Sequence, residues 1–296
     1  RMAAIAVTGA NGKTGRATVV ELLAHDHTVI AIDSAGRPGG AGDLAGIGAS
    51  LLRADLTDYG QTVQALRGAD AVVHLANIPA PDLFTPAHTF TANTAMNSNV
   101  FLAAQEIGLR RVVWASSETT IGLPFDTPPR YAPIDEAHFP YPTSTYALSK
   151  VVGETLAEQI SGWSGIPFAG LRLSNVHNPD EYARFPGYWA DATLRRWNLW
   201  GYVDVRDAAA AFRLALDAPL EGSNNFIIAA ADTVMTRPSA DLLAEVYPDV
   251  PVTRELTGTE TLLAIDRARE VLGYAPKHSW RDHVGSSGTP EGAQLS

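Results

Sequence analysis

A chain of 296 residues, 46% of them hydrophobic, is long enough to bury a large core as one big α/β domain or a domain plus a lobe. Its net charge of −10, without any run of lysine or arginine, argues against nucleic acid or an anionic membrane surface as partner. Cysteine is absent, which excludes disulfides and thiolate chemistry; the histidines have no metal-ligand spacing, so no metal is expected, and no apolar run approaches the roughly 18 residues of a membrane span.

Ala3 to Thr8 is a short apolar run with the composition of a buried strand. Gly9-Ala10-Asn11-Gly12-Lys13-Thr14-Gly15 follows at once, and a helical pattern then runs from Arg16 to Ala24. Strand, glycine turn and helix are the parts of a dinucleotide site, with the pyrophosphate at the positive end of the helix. The spacing is Gly-x-x-Gly-x-x-Gly, a loose version of the generic fingerprint. Asp33 closes the next strand, Thr28 to Ile32, close to the roughly 20 residues expected before a ribose-binding carboxylate. Arg37, in the glycine-rich loop after it, is suited to a 2′-phosphate; Asp33 is the better placed of the two, so NAD is expected, with NADP as the alternative.

Ser50 to Ala54 reads as a third strand, and Asp55-Leu56 follows where such folds often meet an adenine ring; Asp55 reads equally as the cap of a helix over Tyr59 to Leu66. Ala71 to Leu75 is a fourth strand, ending at Ala76-Asn77, with His74 in it as a core histidine. A proline-containing loop over 79–86 precedes a helix from about Thr91 to Ile107. Arg110 to Ala115 is a fifth strand, with Ser116-Ser117-Glu118-Thr119-Thr120 leaving its carboxyl end, the edge where open α/β sheets bind ligands. The proline-rich stretch 122–142 is too long for a simple connector. A helix over Ser144 to Ile160 and a strand over Phe168 to Leu173 follow. Ser174 to Trp200 is a polar and aromatic excursion containing His177, Arg184, Trp189, Trp197 and Trp200, the tryptophans reading as packing for a small lobe. Beyond it lie a helix over Asp207 to Leu216, a strand over Asn225 to Ala229, helices over Ala240 to Tyr247 and Ala264 to Leu272, and a Gly- and Ser-rich tail that reads as frayed. Strands alternating with helices predict an α/β fold, a Rossmann-type doubly wound parallel sheet. Residues 1–173 form the expected dinucleotide-binding core; 174–296 form mainly a small substrate lobe, with 201–230 returning to the core. The opening directly in a strand, without a signal peptide, leads to the expectation of a soluble cytoplasmic protein.

Tyr146 and Lys150 stand four apart on one helix, so their side chains share a face. A free tyrosine, with a pKa of about 10, is a poor base at neutral pH, and a nearby ammonium favours its phenolate. Tyr146 is then expected to take a proton from a substrate hydroxyl while hydride leaves the same carbon, with Ser117 holding the substrate oxygen. Taken together, these residues resemble the extended short-chain dehydrogenase/reductases of the NAD-dependent epimerase/dehydratase family over nearly the whole length. The matching residues are Thr8 to Gly15, Asp55-Leu56, His74-Leu75-Ala76, Asn93, Ser116-Ser117, Tyr146 with Lys150, Arg172 with Asn175, and Tyr202 to Asp207. The resemblance implies a catalytic triad of Ser117, Tyr146 and Lys150. It implies cofactor contacts from Gly9, Asn11, Gly12, Lys13, Thr14, Gly15, Asp33, Asp55, Leu56, Leu75, Ala76, Asn77, Asn93, Tyr146 and Lys150. It also implies homodimers formed by the 91–107 and 144–160 helices.

Dehydratases of this kind carry Asp-Glu where this chain has Glu118-Thr119, which makes dehydration unexpected; the short segment after strand six points away from a large nucleotide sugar. Uronate dehydrogenases are similar in size, and their resemblance implies that Arg184 clasps a substrate carboxylate, though a surface arginine is the plainer reading. Those enzymes have Asn-His in place of Glu118-Thr119, and a carboxylate there would repel an acidic sugar. Glu118 reads as an acceptor for a substrate hydroxyl or as an exposed loop acid. Asn77, Ser117, Glu118, Thr119, Asn175, His177 and Arg184 make up the expected substrate set. The expected activity is an NAD(P)-dependent oxidoreductase acting on a hydroxyl or carbonyl of a small sugar, sugar acid or alcohol. The alternatives are a nucleotide-sugar epimerase that recycles its NAD and a non-catalytic dinucleotide-sensing regulator, the latter disfavoured by the Tyr/Lys pair.

Overall fold

In the computed structural model, residues 3–34 and 44–284 are described, so the Arg37 reading and the frayed-tail reading lie outside them. Seven parallel strands form one sheet in the order β3-β2-β1-β4-β5-β6-β9: β1 Ala4–Thr8, β2 Thr28–Asp33, β3 Leu51–Arg53, β4 Ala71–His74, β5 Val112–Ser117, β6 Phe168–Leu173 and β9 Ser223–Ile228. The chain is a Rossmann-type α/β protein. Its strand order reverses between β1 and β4, and the crevice beyond their carboxyl ends is where doubly wound folds seat a ligand.

Strand alternation divides the core between the sheet's two faces. Ile5, Val7, Val73 and Val113 pack with Val19 and Leu22 of α1 (Lys13–Leu23) and Phe212 of α5 (Val205–Asp217). Ala6, Val72, Val112 and Trp114 pack on the other face, with Val63 of α2 (Tyr59–Leu66), Phe101 of α3 (Pro86–Ile107) and Ala157 of α4 (Thr145–Ser164). Gly153 lets α4 lie close to its neighbours: a Cβ there would come within 2.8 Å of Asn97 Nδ2 on α3 and 2.9 Å of Trp114 Cη2.

Several boundaries differ from those expected. α3 begins at Pro86, well before Thr91, because proline's missing N–H costs nothing in the first helical turn. β5 runs two residues further than expected, so Ser116 and Ser117 belong to the strand, paired with Arg172 and Leu173 of β6. Asp58, and not Asp55, caps α2 by accepting the Gln61 N–H; Asp55 instead accepts from the Thr57 N–H and hydroxyl.

Beyond β6, β7 (Val176–His177) pairs in parallel with β8 (Val203–Asp204), and 3₁₀ turns over Pro179–Tyr188 and Ala192–Asn198 lie between them. Helices α6 (Ser239–Val246) and α7 (Asp266–Leu272) follow β9. The stretch 122–142 is stitched to this carboxyl-terminal part, Ala132 bridging to Val252 and Ile134 to Leu263. No helix among the described residues is long and apolar enough to cross a membrane.

Candidate active site

At the carboxyl end of β1 the chain turns through Gly9, whose φ is +65°. A Cβ at Gly15 would fall 2.1 Å from the Gly9 carbonyl oxygen, so the helix approaches the turn more closely than any side chain permits. A Cβ at Gly12 would meet only that same oxygen, at 3.2 Å, so the outer face of this turn is open to a group laid against it. Gly12 also caps α1 without any side-chain hydrogen bond. An open cradle on the positive end of an 11-residue helix fits a dinucleotide pyrophosphate. Asp33 ends β2 beside it, accepting from the Asn11 N–H at 3.0 Å and the Ser34 N–H at 2.8 Å.

Several residues expected to touch the cofactor also hold the frame of the cradle. Thr8 Oγ1 accepts the N–H groups of Leu75 and Ala76 at 3.0 and 3.1 Å, tying the ends of β1 and β4 together. The Asn93 amide is spent on Ile78, accepting from its N–H at 2.7 Å and donating to its carbonyl at 3.1 Å, which holds the segment carrying Asn77. Leu56 is buried, with its carbonyl bound by Asn99. Thr14 lies in the first turn of α1, its carbonyl accepting from the Thr18 hydroxyl. The Lys13 ammonium turns to Glu181 at 2.6 Å and the Val176 carbonyl at 3.1 Å, because a carboxylate across the crevice attracts it.

Ser117, Tyr146 and Lys150 come together where β5 ends against the start of α4. The Tyr146 phenol is hydrogen-bonded by the side chains of Ser117 and Asn77. Ser117 Oγ in turn accepts from the Thr119 N–H at 3.1 Å and hydroxyl at 2.9 Å. Lys150 Nζ sits 5.6 Å from the Tyr146 ring centre and donates to the Ala115 carbonyl at 2.7 Å. Burial pushes the phenol up to about 12, with Glu118 adding to the rise, against the hydrogen bonds from Ser117 and Asn77. The sequence led to the opposite expectation, a phenol lowered by Lys150; here desolvation outweighs the hydrogen bonds. Burial also brings Lys150 down to about 7, opposed by the carboxylate of Glu154.

The substrate side is rearranged relative to expectation. Arg184 is 70% exposed and approaches Glu181, at 3.9 Å, so the structure does not bring it to the phenol. Arg195 occupies the interior instead, between the rings of Tyr188 and Trp197 at 5.3 and 4.6 Å. It donates to the Gly201 carbonyl at 3.0 Å and approaches Asn175 Oδ1 at 3.5 Å, while its Nε has no hydrogen-bond partner. Sequence reasoning missed it; a basic pair directly before a tryptophan, Arg195-Arg196-Trp197, is the signal that marks it. Glu118 is a buried acid, with 4% of its surface exposed, not a loop surface residue. Ser174 Oγ donates to it at 2.7 Å and Asn198 Nδ2 at 3.3 Å, and burial pushes it up to about 7. His177 is buried against Phe185, and burial lowers it to about 4. Of the tryptophans, Trp200 is buried with its N–H on the Ala192 carbonyl, and Trp189 packs on Trp280. No cluster of His, Asp or Glu able to hold a metal occurs among the described residues.

The sequence profile of the NAD dependent epimerase/dehydratase family matches residues 5–230. Among curated relatives, the chain is 26% identical to the NAD-dependent glucose-6-phosphate dehydrogenase of Haloferax volcanii, over 76% of this chain and 74% of that one. It is 34% identical to the L-arabinose 1-dehydrogenase (NAD(P)(+)) of the same organism, over 61% of this chain and 70% of that one. Among solved structures, a short-chain dehydrogenase/reductase superfamily protein from Agrobacterium tumefaciens with bound NAD superposes with a TM-score of 0.70 at 23% identity, covering 94% of this chain and 93% of that one. The glycine cradle, the acid closing β2 and the profile match agree: the chain belongs to the NAD dependent epimerase/dehydratase family and is an NAD-dependent enzyme of the oxidoreductase kind.

Proposed function

We propose that the protein transfers hydride between NAD and a hydroxyl-bearing or carbonyl carbon of a small sugar or sugar acid, with Tyr146 as the acid/base and Ser117 as the substrate-oxygen ligand. The observation that carries this reading is the convergence of Ser117, Asn77 and Lys150 on one buried phenol. The bound nicotinamide supplies the hydride acceptor or donor. In the reducing direction the Tyr146 phenol, protonated at neutral pH, donates to the substrate oxygen as charge develops on it. The Ser117 hydroxyl donates to the same oxygen, and Lys150, near 7, exchanges a proton close to the phenol.

Arg195 supports a polar, oxygen-rich substrate, since it is buried and its Nε has no hydrogen-bond partner. The two sugar dehydrogenases among the relatives point the same way. Asp33 at the end of β2 supports NAD over NADP, because a carboxylate repels a 2′-phosphate. We further infer a homodimer through α3 and α4, where Leu102, Leu148 and Trp163 are exposed apolar side chains; light scattering that reads a monomer overturns that inference.

The test is incubation with NAD and a panel of neutral aldoses, uronates and secondary alcohols, following near-ultraviolet absorbance. Accumulating NADH supports a dehydrogenase. Interconversion of a nucleotide sugar without net NADH establishes the epimerase instead. Tyr146→Phe removes the proton-transfer oxygen, so turnover is expected to fall by about 10²-fold or more while NAD affinity changes little. A variant that retains activity removes Tyr146 from the mechanism.

A further inference from the structure

The first turns of α3 and α4 line one cavity of about 500 Å³, which shares no residue with the glycine cradle or with the partners of the phenol. Thr89 lines it from α3, Ser144 and Thr145 from the start of α4, and Asp82 from the segment before α3. The two helices run for 22 and 20 residues, so two positive helix ends are brought to one place. Ser144 Oγ accepts the Ala147 N–H at 3.1 Å, whereas Thr85, at the start of α3, makes no side-chain cap bond. The first N–H groups of a helix have no partner inside it, so an acceptor placed at such an end is favoured.

Thr89 adds a second, independent sign. It is 1% exposed, and its hydroxyl has no hydrogen-bond partner. Threonines in helices often return the hydroxyl proton to the carbonyl four residues back. Thr18, Thr62 and Thr91 all do so, at 2.8, 2.8 and 2.9 Å. A buried hydroxyl left without that bond is costly until something else accepts its proton.

We propose that this cavity binds a small carboxylate with an apolar body, whose oxygens take the Thr89 proton and the first-turn N–H groups of the two helices. Each helix end carries about half an elementary charge, so the pair matches a single negative charge. Among the described residues that line the cavity there is no lysine or arginine to balance the second charge of a phosphate. The apolar body follows from the walls, which include Pro81, Pro86 and Pro142. Leu83 and Phe84, 57% and 56% exposed, extend that apolar surface along the segment before α3. Asp82 opposes the anion, but it is exposed, so solvent weakens its effect. Thr145 immediately precedes Tyr146, so the occupant rests on the turn that carries the phenol and leaves Ser117 and Asn77 to it.

Sodium benzoate is the probe, titrated calorimetrically into the full chain saturated with NAD, with benzyl alcohol as its uncharged counterpart. Benzoate is expected to bind with a Kd of about 1 mM, and benzyl alcohol at least about tenfold more weakly. Thr89→Val keeps the shape and removes the donor, so benzoate affinity is expected to fall at least about fivefold, with Thr89→Ser restoring it. Asp82→Asn removes the opposing charge and is expected to raise the affinity about twofold. Opposite effects of these two changes on one probe locate it in the cavity. Ser117→Ala, beside the phenol, is expected to leave benzoate binding unchanged. Benzoate that fails to bind below about 10 mM, or that benzyl alcohol matches, overturns the proposal. So does an affinity that Thr89→Val does not lower or Asp82→Asn does not raise, and so does loss of binding in Ser117→Ala, which places the probe at the phenol. Should Thr89→Val fail to fold, Asp82→Asn, a change at an exposed position, and the benzyl alcohol comparison decide the matter.

Discussion

Inside β4, His74 places Nδ1 at 2.7 Å from Thr8 Oγ1 and Nε2 at 3.1 Å from Asn97 Oδ1. The threonine oxygen already accepts two N–H groups, so its own proton goes to Nδ1, and the ring hydrogen is assigned to Nε2. Burial, and then the nearby Lys150, lower the imidazole to about 3. A folded-state value below the unfolded one means that the unfolded chain binds the extra proton as pH falls. The stability carried by the neutral ring is therefore complete above about 6.5 and is lost as the pH drops toward 3, by about 5 kcal/mol at most. His74→Gln, which keeps an acceptor and a donor, is expected to flatten that acid-side loss; denaturant titrations between pH 4 and 7 measure it. Reading His74 as a core residue needed only the apolar strand around it. The partners that keep it neutral lie on β1 and α3, which the strand pattern does not reveal.

The glycine turn and α1 act as one element, because Gly15 brings the helix against the Gly9 carbonyl. Gly15→Ala puts a methyl 2.1 Å from that oxygen, so the helix must move outward. The expected cost is about 1–3 kcal/mol of stability, together with a loss of NAD affinity that calorimetry detects; unchanged affinity shows that the cradle does not hold the pyrophosphate. This element was legible because each glycine answers a local backbone demand. Element ends were harder to place. Pro86 reads as a loop residue until one sees that it opens α3, and Asp55 reads as the cap of α2 until the N–H of Gln61 selects Asp58. Local signals name the kind of element, whereas the end depends on which neighbour satisfies the last free N–H.

Across the whole molecule, the ion pair of Lys13 with Glu181 links the glycine turn to the segment after β6. Glu181 also accepts from the Asn178 N–H at 2.7 Å, so the contact fastens the entrance of that segment to the dinucleotide cradle. Both side chains retain some exposure, 38% and 19%, and a partly solvated pair is worth about 1 kcal/mol or less. A double-mutant cycle with Lys13→Ala and Glu181→Ala is expected to give a coupling of that size, weaker at high salt. A coupling near zero shows that this contact does not fasten the two parts together.

Alternating strands and helices, the glycine spacing, the acid closing β2 and a tyrosine four residues before a lysine were enough to determine the parallel sheet and to place a phenol, an ammonium and a serine near one another. The elements and the shared face of Tyr146 and Lys150 rest on periods of two and 3.6 residues, which any stretch of chain carries within itself, while joining Ser117 to them rests on the family resemblance. Tertiary structure alone decided that the phenol is raised rather than lowered, that Glu118 is buried, that Arg195 and not Arg184 lies inside, and that Lys13 reaches across to Glu181. Desolvation and the field at a charged group depend on what packs around it from distant parts of the chain, and sequence spacing carries no record of that.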